Sequence, residues 1–85
     1  MSEIEVGVVT HFFGKIGVAA VRITAGEITV GDTVHIKGHT TDFIATIDSI
    51  QMEHGSVTSA RTGDEVGIKV AEIVREHDAV YKLVD

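Results

Sequence analysis

The chain has 85 residues, of which 44% are hydrophobic and 24% charged. It has no cysteine, proline or tryptophan, and its formal net charge is −6. That length suits one domain, residues 1–85, with a thin core. The composition excludes a disulfide framework and a thiolate metal site, and the acidity argues against a generic electrostatic grip on nucleic acid. No stretch approaches the roughly 20 apolar residues of a membrane span. The start, MSEIEVGVV, has no basic segment leading into an apolar run, so the expected location is cytoplasmic, without membrane contact.

Residues 3–13 begin by alternating, with Ile4, Val6 and Val8 on one face, which predicts a strand. GKIG (14–17) reads as a turn and VAAVRIT (18–24) as a second strand. After the turn at 25–27 comes a short extended piece, 28–30. Gly31 and Asp32 make the next turn, because glycine supplies positive φ and aspartate bonds its own loop. TVHIK (33–37) alternates cleanly, Val34 and Ile36 inward, and GHTTD (38–42) reads as a hairpin loop. FIATIDSIQME (43–53) reads as one long strand facing Ile47, Ile50 and Met52 inward. Its three-residue step from Ile47 to Ile50 predicts a β-bulge near Asp48 and Ser49. Residues 54–64 read as a polar connection ending in a second Gly-Asp pair, Gly63 and Asp64. EVGIKVAEI (65–73) and VYKLV (80–84) complete the strands, with polar VREHDA between them.

No window sustains apolar residues at helical spacing. About seven short strands between glycine-rich turns predict an all-β fold, a small closed antiparallel barrel or a sandwich. Closure suits so short a chain, because an open sheet leaves unpaired edges.

The successions RITAGEITVGDTVHIKG (22–38) and IDSIQMEHGSVTSARTGDEVGIKV (47–70) resemble the second domain of elongation factor Tu and its translational GTPase relatives. Arg22, Ile23, Gly26, Ile28, Gly31, Asp32 and Val34 carry the first half of the pattern. Ile50, Met52, Val57, Ala60, Gly63, Asp64, Val66 and Gly67 carry the second. The resemblance implies a closed antiparallel barrel of six to seven strands, with Gly26, Gly31, Asp32, Gly63, Asp64 and Gly67 as turn formers. It also implies a translation-associated or RNA-contacting accessory module.

No G-x-x-x-x-G-K-[ST] phosphate loop is present, so neither GTP nor another cofactor is expected, and no catalytic constellation stands out. Phe12, Phe13, Lys15, Arg22 and Arg61 are the candidate residues for an RNA or partner face, since exposed aromatics beside bases suit stacking on single strands. The simpler reading makes a phenylalanine the plug of the barrel end and lets the arginines neutralise acids. His11, His35, His39, His54 and His77 lack the spacing of a metal site and read as surface histidines. The competing functional reading is a protein-interaction module that docks on a separate enzyme, such as a peptidase carrying a similar barrel.

Overall fold

The computed structural model describes residues 2–53 and 55–84, and all of its regular structure is β. Ten strands follow in chain order: β1 (Ser2–Phe13), β2 (Val18–Ile23), β3 (Glu27–Thr29), β4 (Thr33–Lys37), β5 (Asp42–Thr46), β6 (Ile50–Met52), β7 (Gly55–Val57), β8 (Ser59–Arg61), β9 (Glu65–Lys69) and β10 (Ala79–Val84). Eight form an antiparallel sheet in the order β5-β4-β10-β1-β2-β9-β6-β7, and β3 pairs with β8. Among the described residues no helix is long and apolar enough to cross a membrane.

β1 organises the sheet. Its first half pairs with β10 and its second half with β2. Register shifts between Glu5 and Gly7 and between Val9 and His11 let one strand serve both partners, as bulges bend and twist a strand. They also break the expected alternation: Val6 and Val9 are buried, Val8 is half-buried, and Ile4 is exposed.

Inward residues of both sheets meet in one core that includes Ile23, Ile28, Val34, Ile36, Ile50 and Val80. The clean alternation of 33–37 is kept, with Val34 and Ile36 fully buried.

Three expectations need correction. The stretch 43–53 is not one bulged strand: it breaks at 47–49, sending β5 to one edge of the sheet and β6 beside β9. Buried Ile47 makes the step, its N–H donating to Asp32 O and its carbonyl accepting from Gly31 N–H. The connection after Met52 contains two short strands, β7 and β8. Finally, the hydrogen-bonded sheet does not close. Among the described residues it ends at β5 and β7, and after β9 the chain runs without a strand from Val70 to Asp78.

One turn recurs three times. In Thr29–Asp32, Arg61–Asp64 and Arg75–Asp78, the aspartate N–H donates to the carbonyl of the first residue, and its carboxylate accepts that residue's N–H. The third position has positive φ each time: 98° at Gly31, 96° at Gly63 and 76° at His77. That is the backbone signature of a type II turn. The first two turns lead directly into β4 and β9, and the third into β10.

Candidate functional site

The β1–β2 hairpin ends in a tight turn, with Ile16 N–H donating to Phe13 O (3.2 Å) and Gly17 at φ 65°. The two phenylalanines part there, as consecutive strand residues must. Phe12 packs against the core, whereas Phe13 is 47% exposed and Ile16 63%. The His11 ring meets Phe13 edge-on, centroids 4.5 Å apart. Lys15 stands exposed at the same tip.

Arg22 and Arg61 do not join this group. Arg22 lies on β2, seven residues along the hairpin from Lys15, a span of about 20 Å in extended chain. Its cross-strand partner on β9 is Glu65. Arg61 on β8 faces Glu27 across the ladder, and a hollow of about 280 Å³ there is also bordered by Asp64. Both arginines therefore sit among acids, while the aromatic residues lie at the far end of β2. Gly26, Gly31 and Gly63 hold positive φ. Gly67, expected at a turn, lies inside β9 instead. It faces Val18, whose Cγ1 would be 3.1 Å from an added Cβ, so it serves close strand approach.

The histidines are dispersed. His35 is held by two carboxylates, Nδ1 2.7 Å from Glu3 Oε2 and Nε2 2.5 Å from Asp42 Oδ1. Those carboxylates, Asp42 above all, hold the imidazole pKa above its ordinary value, and His35 in turn lowers that of Asp42. His11 lies 3.8 Å from Glu76, His39 is exposed, and His77 is a turn residue. His54 lies outside the described residues.

A cleft that the sequence did not reveal runs beside β5. Val70 N–H donates to Gly17 O, which ties the hairpin tip to the chain leaving β9. That chain, 69–75, forms one wall, and Thr40–Thr41 with β5 forms the other; Arg75 Nε donates to Thr40 Oγ1 at 3.0 Å across the cleft. A hollow of about 430 Å³ lies between Ile44–Thr46 and Lys69–Ala71. A second of about 470 Å³ continues from Ala71 between Thr40–Thr41 and Glu72–Arg75. Ile44 is 60% exposed and Ile73 70%. Four of the six exposed large apolar side chains among the described residues thus belong to the hairpin tip and the cleft walls. Such clustering marks an interaction surface more than scattered exposure does.

Comparison with known proteins finds similar segments in peptidases. An uncharacterized protease of Methanocaldococcus jannaschii is 38% identical over 82 residues, covering 95% of this chain and 20% of its own. A collagenase of Porphyromonas gingivalis is 36% identical over 81 residues, covering 94% and 20%. The chain thus spans about a fifth of the length of these relatives. The crystal structure of the C-terminal domain of a Geobacillus thermoleovorans U32 peptidase has the same fold, with a TM-score of 0.87 over 94% of this chain and 92% of that one, at 24% identity. The family profile described as Elongation factor Tu domain 2 matches residues 17–79. The chain belongs to the elongation factor Tu domain 2 family, in a form similar to segments of much longer peptidases.

Proposed function

We propose that this chain is a non-catalytic docking domain that works with a peptidase catalytic unit, in the same polypeptide or as a separate subunit. The observation that carries the reading is that relatives matched over nearly the whole chain are a protease and collagenases about five times longer. The exposed surface of Phe13, Ile16, Ile44 and Ile73 offers apolar contacts for such a partner. A translation-associated or RNA-contacting role has less behind it: Arg22 and Arg61 lie opposite acids, away from the phenylalanines.

The test is complex formation between this chain and the U32-type peptidase of its source organism, by size-exclusion chromatography with and without RNase. A complex that survives RNase and is weakened by Phe13→Asp or Ile16→Asp is expected. A complex that disappears with RNase would return the RNA reading to first place. No complex at tens of micromolar, a weak but specific concentration range, would overturn docking in trans.

A further inference from the structure

The β1–β2 hairpin stands apart from the rest of the chain in charge. Thirteen residues of the 85 are acidic, yet residues 6–26 contain none, and they hold His11, Lys15 and Arg22. Acids from elsewhere in the chain reach the hairpin below its tip: Glu65 meets Thr10 and lies across from Arg22, and Glu76 lies 3.8 Å from His11. At the tip, the residue across the ladder from Val18 is another base, Lys69, which borders the first hollow together with Asp48. Lys15, between Phe13 and Ile16 in the chain, forms no ion pair among the described residues. A chain with a formal net charge of −6 therefore presents a cationic tip.

The tip is also held in one shape. Ile16 N–H closes on Phe13 O, Gly17 takes a positive φ, and the Gly17 carbonyl accepts from Val70 N–H at 2.8 Å. The His11 ring supports Phe13 edge-on. Phe13 and Ile16 are thus offered to solvent on a fixed turn, with an exposed ammonium between them in the chain. A tip fixed beforehand loses little freedom on binding, so more of its contact energy appears as affinity. The cleft beside β5 is a poorer candidate, because the Arg75–Thr40 bond already spans it.

These features define the complement. Two projecting apolar side chains gain only where they leave water, so the receiving surface is concave and apolar. An ammonium carried to such a surface is desolvated and needs a carboxylate there. The acidic remainder of the chain is repelled by an extended anionic face, such as nucleic acid or an anionic membrane. The negative charge that suits this tip is therefore local, as in a protein pocket. We infer that the β1–β2 hairpin tip inserts Phe13 and Ile16 into an apolar pocket of the peptidase catalytic unit, with Lys15 paired to a carboxylate at the pocket's rim. The inference rests on the docking reading and names the part of the surface that makes the contact and the chemistry that receives it.

The test uses this chain and the intact U32-type peptidase of its source organism. A zero-length carbodiimide joins an amine to a carboxylate in contact with it, so mass spectrometry of the product cross-linked at Lys15 identifies the rim acid. Affinity is read in parallel by isothermal titration calorimetry. Phe13→Ala and Ile16→Ala should each weaken binding about tenfold, as truncation of an apolar anchor does. Lys15→Glu should weaken it at least as much. Lys15→Met keeps the aliphatic stem, so it should weaken binding less and flatten its dependence on salt. Ile44→Ala and Ile73→Ala, in the cleft, should change affinity by less than about threefold, as contacts outside a hot spot do. All five residues are exposed, and melting temperatures check that the variants fold.

A complex without a cross-link from Lys15 to a peptidase carboxylate, or one indifferent to Phe13→Ala and Ile16→Ala, overturns the inference and leaves the docking reading standing. So does a complex lost on Ile44→Ala or Ile73→Ala while the tip variants bind normally, which would move the contact to the cleft. Neither complex nor cross-link sinks both readings. Binding to phosphatidylglycerol vesicles that Phe13→Ala abolishes, with no cross-link to the peptidase, also overturns the inference and makes a membrane the partner.

Discussion

His35 reaches Glu3 with a 2.7 Å contact from Nδ1 to Oε2, although β10 lies between their two strands. On its other side the same ring meets Asp42 of β5. A neutral imidazole has one N–H and can donate to only one carboxylate, whereas imidazolium donates to both. Protonation of this ring therefore ties the edge strand β5 to the start of β1.

The sign of the resulting pH dependence follows from the two shifts. His35 titrates above 6.5 in the folded chain, so its contribution is complete below about pH 6.5 and is lost as pH rises through the raised value. Asp42 titrates below 3.8, so its contribution is complete above about pH 4 and is lost as pH falls through the lowered value. The tie should be strongest between about pH 4 and 6.5. His35→Gln should lower the melting temperature more at pH 5.5 than at pH 9. An equal loss at both pH values would disprove the charged tie.

The third turn predicts a gain and a loss. His77 occupies a position where its two counterparts are Gly31 and Gly63. His77→Gly should stabilise the fold by a few tenths of a kcal/mol to about 1, through relief of left-handed strain set against a more flexible unfolded chain. Asp78 is buried and accepts the Arg75 N–H at 2.8 Å. Asp78→Ala should cost about 1 kcal/mol or more, because the part-buried Arg75 N–H loses its acceptor. Urea denaturation measures both, and a neutral Asp78→Ala would refute the turn's importance.

Gly38 predicts a steric effect at the same place. A Cβ there would overlap the Asp78 carboxylate, with its Cγ only 2.6 Å away. The carboxylate is pinned by its own turn, so Gly38→Ala should cost about 1–3 kcal/mol, as overpacking does. The double variant Gly38→Ala, Asp78→Ala should lose less than the sum of the singles, because the second change removes the obstacle. Strict additivity would show that the two sites do not communicate.

Lys82 links the two sheets. Its Nζ lies 3.4 Å from Asp32 Oδ2 and donates to Glu27 O at 3.3 Å. Lys82→Met keeps most of the aliphatic stem and removes both polar contacts. Amide exchange should quicken in Glu27–Thr29 and Ser59–Arg61, with global stability falling by about 1 kcal/mol or less, as for a partly exposed pair. Unchanged exchange in those six residues would contradict the link.

What the sequence made legible was local. TVHIK alternates without interruption, and β4 follows it residue for residue. The Gly-Asp pairs announced two turns because glycine permits the φ they need. The third turn was hidden because histidine stands where the other two turns have glycine. The break at Ile47–Ser49 was misread because a three-residue step between apolar positions, Ile47 to Ile50, fits a bulge as well as a change of strand. The cleft had no local signal. It arises from β5 lacking a second neighbour and from 69–75 leaving the ladder, both outcomes of distant pairing. The division of Phe12 from Phe13 follows strand parity, but which one faced inward depended on the two bulges of β1.

Ser2 of β1 lies directly across the ladder from Val84 of β10. The polypeptide therefore enters and leaves this unit at nearly one point, on adjacent antiparallel strands. A host protein could receive it within a surface loop, or at either terminus, without spreading its own chain to span the insert. The same adjacency lets a short linker join the ends and the chain be reopened elsewhere, for instance at the exposed Gly14–Lys15 tip. The unit is, in mechanical terms, a plug whose two leads emerge side by side.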